Sequence, residues 1–181
     1  MKIAENITCL PAIQGDTRIR IFRRTFPDME EFSGMYVDAY AIISDRYVVI
    51  CDTLLCPEDM QAVMENIRPE LATGRQLLVI NSHADWDHAW GNSYFTGERA
   101  APIISHAHGV TRLRSDEAHT ELADFQQRYP LFQQVVLTPA TLTFTQQLTI
   151  HGGDLTLHLL AAPGHHSDHI AAWLPKLRLL L

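Results

Sequence analysis

The sequence of 181 residues is poor in cysteine and contains no long apolar run. Its three cysteines, Cys9, Cys51 and Cys56, are too few and too irregularly spaced for a disulfide framework, which favours reduced thiols. No apolar run approaches the length of a membrane span, and the N-terminal residues lack the apolar segment of a signal peptide. We therefore expect a cytoplasmic protein with no membrane partner.

Positive charge is also scarce. Lysine and arginine number 14, against 21 aspartates and glutamates, and the formal net charge is −7. This balance disfavours nucleic acid, or another polyanion, as the main partner. The length suits one domain over residues 1–181, and 46% hydrophobic with 19% charged residues is typical of a chain that buries a core.

Hydrophobic periodicity divides the chain into a β-hairpin region, a region of alternating strands and helices, and a β-rich region from Gln134 onward. One helix is predicted from Pro57 to about Pro69, and an apolar stripe predicts a single long helix from Val110 to Pro130. Predicted strands cover residues 18–26, 36–44, 47–51, 76–81, 102–105 and 134–137. Because both sheet types are indicated, with helices to cover a face, the predicted fold class is α+β.

Two imidazoles and two carboxylates are concentrated directly after the strand predicted over residues 76–81. They belong to the stretch His-Ala-Asp-Trp-Asp-His, which contains His83, Asp85, Asp87 and His88. Alternate side chains of an extended loop point the same way, so the first three can converge. We expect His83 and Asp85 to bind one ion and Asp87 and His88 a second. This donor set suits zinc, iron or manganese, and the lack of a nearby cysteine disfavours a structural thiolate site.

A second histidine cluster follows the Pro163-Gly164 turn and contains His165, His166 and His169. Such a turn after an apolar strand can project His165 as the third ligand of the first ion. Two histidines and one carboxylate leave coordination positions open, which is typical of a catalytic metal. The roles of His166 and His169 stay open.

Several residues have simpler interpretations. Asp87 could cap a helix N-terminus instead of binding metal, or do both. Trp86 and Trp90 flank the ligands and could form a pocket wall or pack in the core. The remaining histidines lack a second ligand type at a suitable spacing and are expected to be ordinary surface or core residues; they are His106, His108, His119, His151 and His158.

From about Tyr36 onward the sequence resembles the metallo-β-lactamase superfamily. The signature of that family, His-x-His-x-Asp-His, follows a buried strand, as residues 83–88 do here. Asp52-Thr53 resembles the Asp-Thr-Gly turn after the family's opening hairpin, with Leu54 where glycine is usual. The run from Pro163 to His165 resembles the later Pro-Gly-His motif.

The resemblance implies a four-layer αββα sandwich with the metals at one edge of the sheets. It places His83 and His165 on the first metal and Asp87 and His88 on the second, with Asp87 also orienting the attacking water. Asp85 stands at the second histidine of the signature. A carboxylate there lowers the Lewis acidity of the first ion and favours iron, as in the flavodiiron branch of the superfamily.

The resemblance also implies a further strand leading to a Gly-Asp whose aspartate bridges both metals, and the sequence ends before such a motif. We therefore expect the αββα sandwich to be incomplete at its C-terminus. The alternative is a homodimer that covers the apolar strand predicted over residues 176–181.

The leading hypothesis is a metal-dependent hydrolase that uses a metal-activated water, with one or two zinc ions, on an ester, thioester, lactone or similar small substrate. A second hypothesis, which draws on Asp85, is a non-heme iron oxidoreductase of the same fold. A third, which draws on the missing bridging aspartate, is a non-catalytic metal-binding module.

Overall fold

The computed structural model describes residues 1–27 and 29–181, without the side chain of Gln14. The strands are β1 (Lys2–Ala4), β2 (Ile7–Cys9), β3 (Ile19–Thr25), β4 (Tyr36–Ile43), β5 (Tyr47–Cys51), β6 (Gln76–Ile80), β7 (Ile103–His106), β8 (Leu142–Phe144), β9 (Gln147–His151), β10 (Thr156–Ala161), β11 (Ile170–Leu174) and β12 (Leu179–Leu180). The α-helices are α1 (Pro57–Leu71), α2 (Trp86–Ala89), α3 (Ala107–Leu113) and α4 (Asp116–Arg128).

The first eight strands form one sheet in sequence order. Pairing is antiparallel from β1 to β5, including the predicted β4–β5 hairpin, and parallel from β5 to β8. Because parallel strands end at the same edge of a sheet, the loops after β5, β6 and β7 lie side by side. The chemistry-bearing residues 52 and 81–88 follow two of these strands.

Alternation along the strands divides the buried residues into two cores. Val48 and Ile50 of β5 pack toward the α-helices, whereas Val49 and Cys51 pack toward the second sheet. All the buried apolar residues of the α-helices belong to the first core. The described residues therefore form three successive layers: helices, the eight-stranded sheet and a four-stranded sheet.

The second sheet is antiparallel, in the order β12-β11-β10-β9. The turn between β10 and β11 contains the second histidine cluster. At its end, the backbone N–H of Ile170 donates to the carbonyl of Ser82 at 2.9 Å. This bond ties the second sheet to the loop after β6 and brings the two histidine clusters together.

Three predicted elements differ in the structure. Helix α1 continues through Pro69 to Leu71, because a proline near the C-terminal end removes one N–H donor while Ala72 still bonds to the carbonyl of Arg68 at 3.1 Å. The predicted long helix is two helices, since the Ser115 hydroxyl accepts the N–H of Ala118 and caps a new N-terminus. Residues 134–137 form no strand.

The two ends of the chain also differ from the prediction. The short strands β1 and β2 were not predicted. The predicted C-terminal strand is a 3-10 turn, Pro175–Leu177, followed by the two residues of β12. Arg178, which joins this 3-10 turn to β12, has φ 51°.

Among the described residues, none of the helices combines the length and the apolar character that a membrane span requires.

Candidate metal centre

The loop after β6 turns directly into helix α2. The carbonyl of Asp85 accepts the N–H of His88 at 3.1 Å and of Ala89 at 2.9 Å, so Asp85 is the N-cap residue and Asp87 lies inside the helix. The interpretation of Asp87 as the N-cap is therefore wrong. The extended loop that we expected is interrupted by a bend at Ser82 and His83; Asp85 itself has an extended backbone, and the helix begins directly after it. The side chain of Asp85 makes no capping bond and is free to face the site.

Three imidazoles converge on one carboxylate oxygen, Oδ2 of Asp85. The Nε2 atoms of His83 and His165 lie 3.2 Å from it, and that of His166 lies 3.1 Å from it. The ligand atoms of His83, Asp85 and His165 all lie within 4.8 Å of one another, as the ligands of a single metal ion do. His83 is buried and His165 is exposed, so the group opens to solvent on the side of the second cluster.

The other oxygen of Asp85 has a different partner. Its Oδ1 accepts a hydrogen bond from Nη2 of Arg112 at 2.6 Å, while Nη1 of Arg112 donates to Asp168 at 2.7 Å. Asp168 is 1% exposed, and its second oxygen accepts the N–H of Ala84 at 2.8 Å. Sequence reasoning missed both residues. Asp168 lies within the second histidine cluster, whereas no pattern in the sequence marks Arg112.

These contacts decide the charge of Asp85. Burial by itself would raise the pKa of Asp85, but hydrogen bonds from His83 and Arg112 outweigh it and hold the pKa far below the usual range. Asp85 is therefore an ionised carboxylate whose Oδ2 faces the imidazoles.

The residues expected to bind a second ion lie beside the first group. Nε2 of His88 is 3.6 Å from Oδ2 of Asp87, and the ring centroids of His83 and His88 are 4.1 Å apart. Burial raises the pKa of Asp87. In the part of the chain that is described, Asp87 and His88 have no third ligand-type side chain grouped with them.

A buried aspartate at the end of β5 orients His88. Oδ2 of Asp52 lies 2.8 Å from Nδ1 of His88, and Oδ1 accepts the N–H of Ser82 at 2.6 Å. Burial would lower the pKa of His88, but the Asp52 carboxylate outweighs this effect and raises it to about 9. The Ser82 hydroxyl lies 2.9 Å from Nδ1 of His83. With Nδ1 engaged, both rings direct Nε2 to the site, as in many metal centres.

Close packing fixes the distance between Asp52 and helix α2. The backbone N–H of Thr53 donates to the carbonyl of His88 at 2.8 Å, and Asn81 and Asn92 exchange hydrogen bonds at 3.0 and 2.9 Å. Leu54 has φ 55°, in the left-handed region that favours glycine. Glycine is the usual residue at this position in the family that the sequence resembles.

The flanking tryptophans have different surroundings. Trp90 is 1% exposed and packs against Phe125 and Phe132, with ring centroids 5.4 Å apart in both pairs. Trp86 packs on Phe32 and also lines a cleft of about 780 Å³ beside Asp85. Thus Trp90 is a core residue, whereas Trp86 belongs to both the core and a pocket wall.

The other histidines have separate positions. His169 lies against His83, with ring centroids 4.9 Å apart. Three others are within hydrogen-bond distance of a threonine or serine: His106 of the Thr145 carbonyl, His119 of the Ser115 carbonyl, and His158 of the Thr149 hydroxyl. The group of ligand-type side chains found among the described residues includes neither these four nor His108 and His151.

Comparison with known proteins identifies the family. The sequence model of the metallo-β-lactamase superfamily matches residues 33–181, and the chain belongs to this superfamily. No curated protein matches.

The fold agrees with solved metallo-β-lactamases. Metallo-β-lactamase IND-7 superposes with a TM-score of 0.68 at 16% identity, covering 98% of this chain and 70% of that one. The mono-zinc form of FIM-1 from Pseudomonas aeruginosa gives 0.63 at 14% identity, with coverages of 94% and 65%. An enzyme from Cronobacter sakazakii, described by a HARLDQ motif, gives 0.56 at 19% identity, with coverages of 76% and 51%.

Proposed function

We propose that the protein is a metal-dependent hydrolase that acts on an ester, thioester, lactone or similar small substrate. The observation that carries this proposal is the convergence of three imidazole Nε2 atoms on Oδ2 of Asp85, at 3.1–3.2 Å. Membership of the metallo-β-lactamase superfamily supports it.

The side chains at the site fit a divalent metal ion. His83, Asp85 and His165 would hold one ion, and Asp87 with His88 would contribute to a second. Imidazole and carboxylate donors together suit zinc, with iron or manganese as alternatives. Loss of a signature histidine has a parallel in the fold, since the HARLDQ motif of the Cronobacter sakazakii enzyme has arginine as its third letter.

An ion held there would supply Lewis-acid chemistry, which lowers the pKa of a water molecule and stabilises negative charge on a substrate oxygen. The protein contributes orientation. Asp52 and Ser82 fix the rings of His88 and His83 through their Nδ1 atoms. Asp87 would orient the attacking water by accepting a hydrogen bond from it. We assign no nucleophilic serine or cysteine.

The size of the adjoining cleft supports a small substrate. A cleft of about 780 Å³ borders Asp85 and is lined by Trp86, Arg112 and His166 among others. This volume is within the range of small-molecule sites. The net charge of −7 continues to disfavour nucleic acid.

The test combines metal content with hydrolysis. We expect purified protein to contain zinc by elemental mass spectrometry and to hydrolyse a nitrophenyl ester, a thioester or a lactone until a chelator removes the metal. Asp85→Ala is expected to lose the first ion and activity, and Asp87→Asn to lose activity. His119→Gln changes an exposed histidine outside the cluster and serves as the control. A metal-loaded protein that is inactive on every substrate would contradict the proposal.

One observation favours a second candidate, a non-heme iron oxidoreductase. The grouped ligands are two histidines and one carboxylate, the set that non-heme iron favours. Iron at near-stoichiometric level with an optical or spin signal would support this candidate. Zinc with esterase activity would reject it.

Location and assembly complete the proposal. The three cysteines are unpaired, which supports a cytoplasmic location. Leu180 of the edge strand β12 is 62% exposed, which supports a homodimer that covers this strand. Light scattering coupled to size-exclusion chromatography, on the protein and on Leu180→Lys, tests the dimer.

A further inference from the structure

Arg112 of helix α3 connects two carboxylates from distant parts of the chain. Its Nη2 donates to Oδ1 of Asp85 at 2.6 Å, and its Nη1 donates to Oδ1 of Asp168 at 2.7 Å. Asp85 follows β6, whereas Asp168 precedes β11 in the other sheet. Three segments of the fold therefore meet at one guanidinium group.

Asp168 holds this arrangement in place. It is 1% exposed, and its Oδ2 accepts the N–H of Ala84, the residue directly before Asp85, at 2.8 Å. The same buried carboxylate thus anchors both the guanidinium group and the peptide that carries Asp85. If Arg112 moved, the buried carboxylate of Asp168 would lose one of its hydrogen bonds, which is costly.

We propose that Arg112, anchored by Asp168, is a positioning residue that makes Asp85 a one-oxygen metal ligand. The inference rests on the proposed function. With Oδ1 bound to Arg112, only Oδ2 faces His83 and His165, and the carboxylate cannot turn to offer both oxygens to an ion. The guanidinium charge also offsets the charge of Asp85, which would otherwise add a full negative charge to the ligand set.

The planar guanidinium group is needed for this role. It presents separate N–H donors in a fixed fork, so it can bond to both aspartates at once. A lysine has a single ammonium at the end of a flexible stem and cannot reproduce two fixed bonds. Arg112→Lys therefore keeps the charge but loses the geometry.

The experiment is a double-substitution cycle read out by metal affinity. Zinc dissociation constants are measured by chelator competition for the wild type, Arg112→Met and Arg112→Lys, and Arg114→Met is the control because Arg114 is exposed at the end of the same helix. We expect both Arg112 variants to bind zinc about 10–100-fold more weakly and Arg114→Met to match the wild type. In an Asp85→His background, Arg112→Met should weaken zinc binding less than about threefold, because the imidazole that replaces the carboxylate has no second oxygen for Arg112 to restrain.

A second readout separates positioning from a general weakening of the fold. Once Oδ1 is free, the carboxylate can offer both oxygens, which favours manganese relative to zinc. The ratio of zinc to manganese affinity should therefore fall in Arg112→Met. A purely structural effect would weaken the binding of zinc and manganese equally and leave the ratio of their affinities unchanged. If Arg112→Met in the Asp85→His background binds zinc too weakly to measure, the ratio of zinc to manganese affinity alone distinguishes positioning from structural loss.

The outcomes distinguish this inference from the proposed function. Equal losses in the wild-type and Asp85→His backgrounds, with an unchanged metal ratio, would show that Arg112 only supports the loop. No loss in Arg112→Met would overturn the inference directly. If the wild type bound no zinc, manganese or iron, the proposed function would fail and this inference with it. If Arg112→Met does not fold, as circular dichroism would show, Arg112→Lys is used for both comparisons.

Discussion

The imidazole of His88 is bound through Nδ1 to the buried carboxylate of Asp52, at 2.8 Å. Asp52 comes from the end of β5 and His88 from helix α2, so the pair joins the hairpin region to the candidate metal centre. The carboxylate raises the pKa of His88 to about 9 against the opposing effect of burial. The same contact fixes the ring and leaves Nε2 on the side of Asp87.

The first prediction concerns the protonation of His88. In Asp52→Asn the carboxylate charge is lost while burial remains, so the pKa of His88 should fall below its value of about 9, even though Asp87 and Asp85 still favour the charged ring. Histidine ring resonances, followed by NMR against pH in metal-free protein, measure this value. His158, a histidine of the second sheet, gives the internal control. An unchanged pKa of His88 would mean that Asp52 does not set it.

The second prediction is a pH dependence of stability that follows from the same pair. His88 binds a proton more tightly in the folded protein, so its contribution to stability is complete below pH 6.5 and is lost as the pH rises through about 9. The free energy of unfolding of metal-free protein should decline over this window, and the decline should be smaller in Asp52→Asn. Urea unfolding at a series of pH values measures both slopes.

The third prediction concerns a buried ion pair between strand β3 and helix α1. Nε of Arg24 lies 3.2 Å from Oδ1 of Asp59, and the two residues are 3% and 7% exposed. Removing one partner leaves a buried charge, so Asp59→Ala should destabilise the protein by about 3–5 kcal/mol. Asp124→Ala removes an exposed partner of Arg128 and should cost much less, because solvent screens an exposed ion pair. Equal losses in urea unfolding would contradict the burial argument.

The fourth prediction concerns Gly91, which follows helix α2. A Cβ there would overlap the carbonyl oxygen of Thr53 and lie 2.9 Å from Cγ of Met60. Gly91→Ala should therefore push α2 away from the Asp52 turn and destabilise the protein by about 1–3 kcal/mol or more. Gly164→Ala is the steric control, because the nearest atom to its Cβ would be 3.9 Å away. Thermal unfolding compares the two, and a stable Gly91→Ala would show that the turn can yield.

The sequence by itself determined the parts of this protein that depend on neighbouring residues. The β4–β5 hairpin, the start of α1 and strand β6 follow from alternation, from a proline at a helix start and from a short apolar run. The candidate ligands His83 and Asp85 could be named because they follow a buried strand within a few residues. For the same reason the family resemblance could be recognised from local motifs, and the family match agrees with it.

Local patterns were insufficient where a single residue changes the geometry. The hydroxyl of Ser115 divides one apolar stripe into the two helices α3 and α4. The helix that begins at Trp86 takes Asp87 off the extended loop on which its convergence with His83 was predicted. At Ser115 a side-chain hydrogen bond to the backbone outweighs the periodicity, whereas at Trp86 the backbone hydrogen bonds of the helix replace the extended conformation.

Only the tertiary structure decided which partners surround Asp85. Arg112 lies 27 positions along the chain from Asp85, and His166 lies 81 positions away. No local pattern in the sequence records such a contact, because it depends on how parallel strands end at one sheet edge and how the second sheet docks against the first. The packing of the two sheets, rather than the motif alone, therefore leaves one oxygen of Asp85 facing the imidazoles.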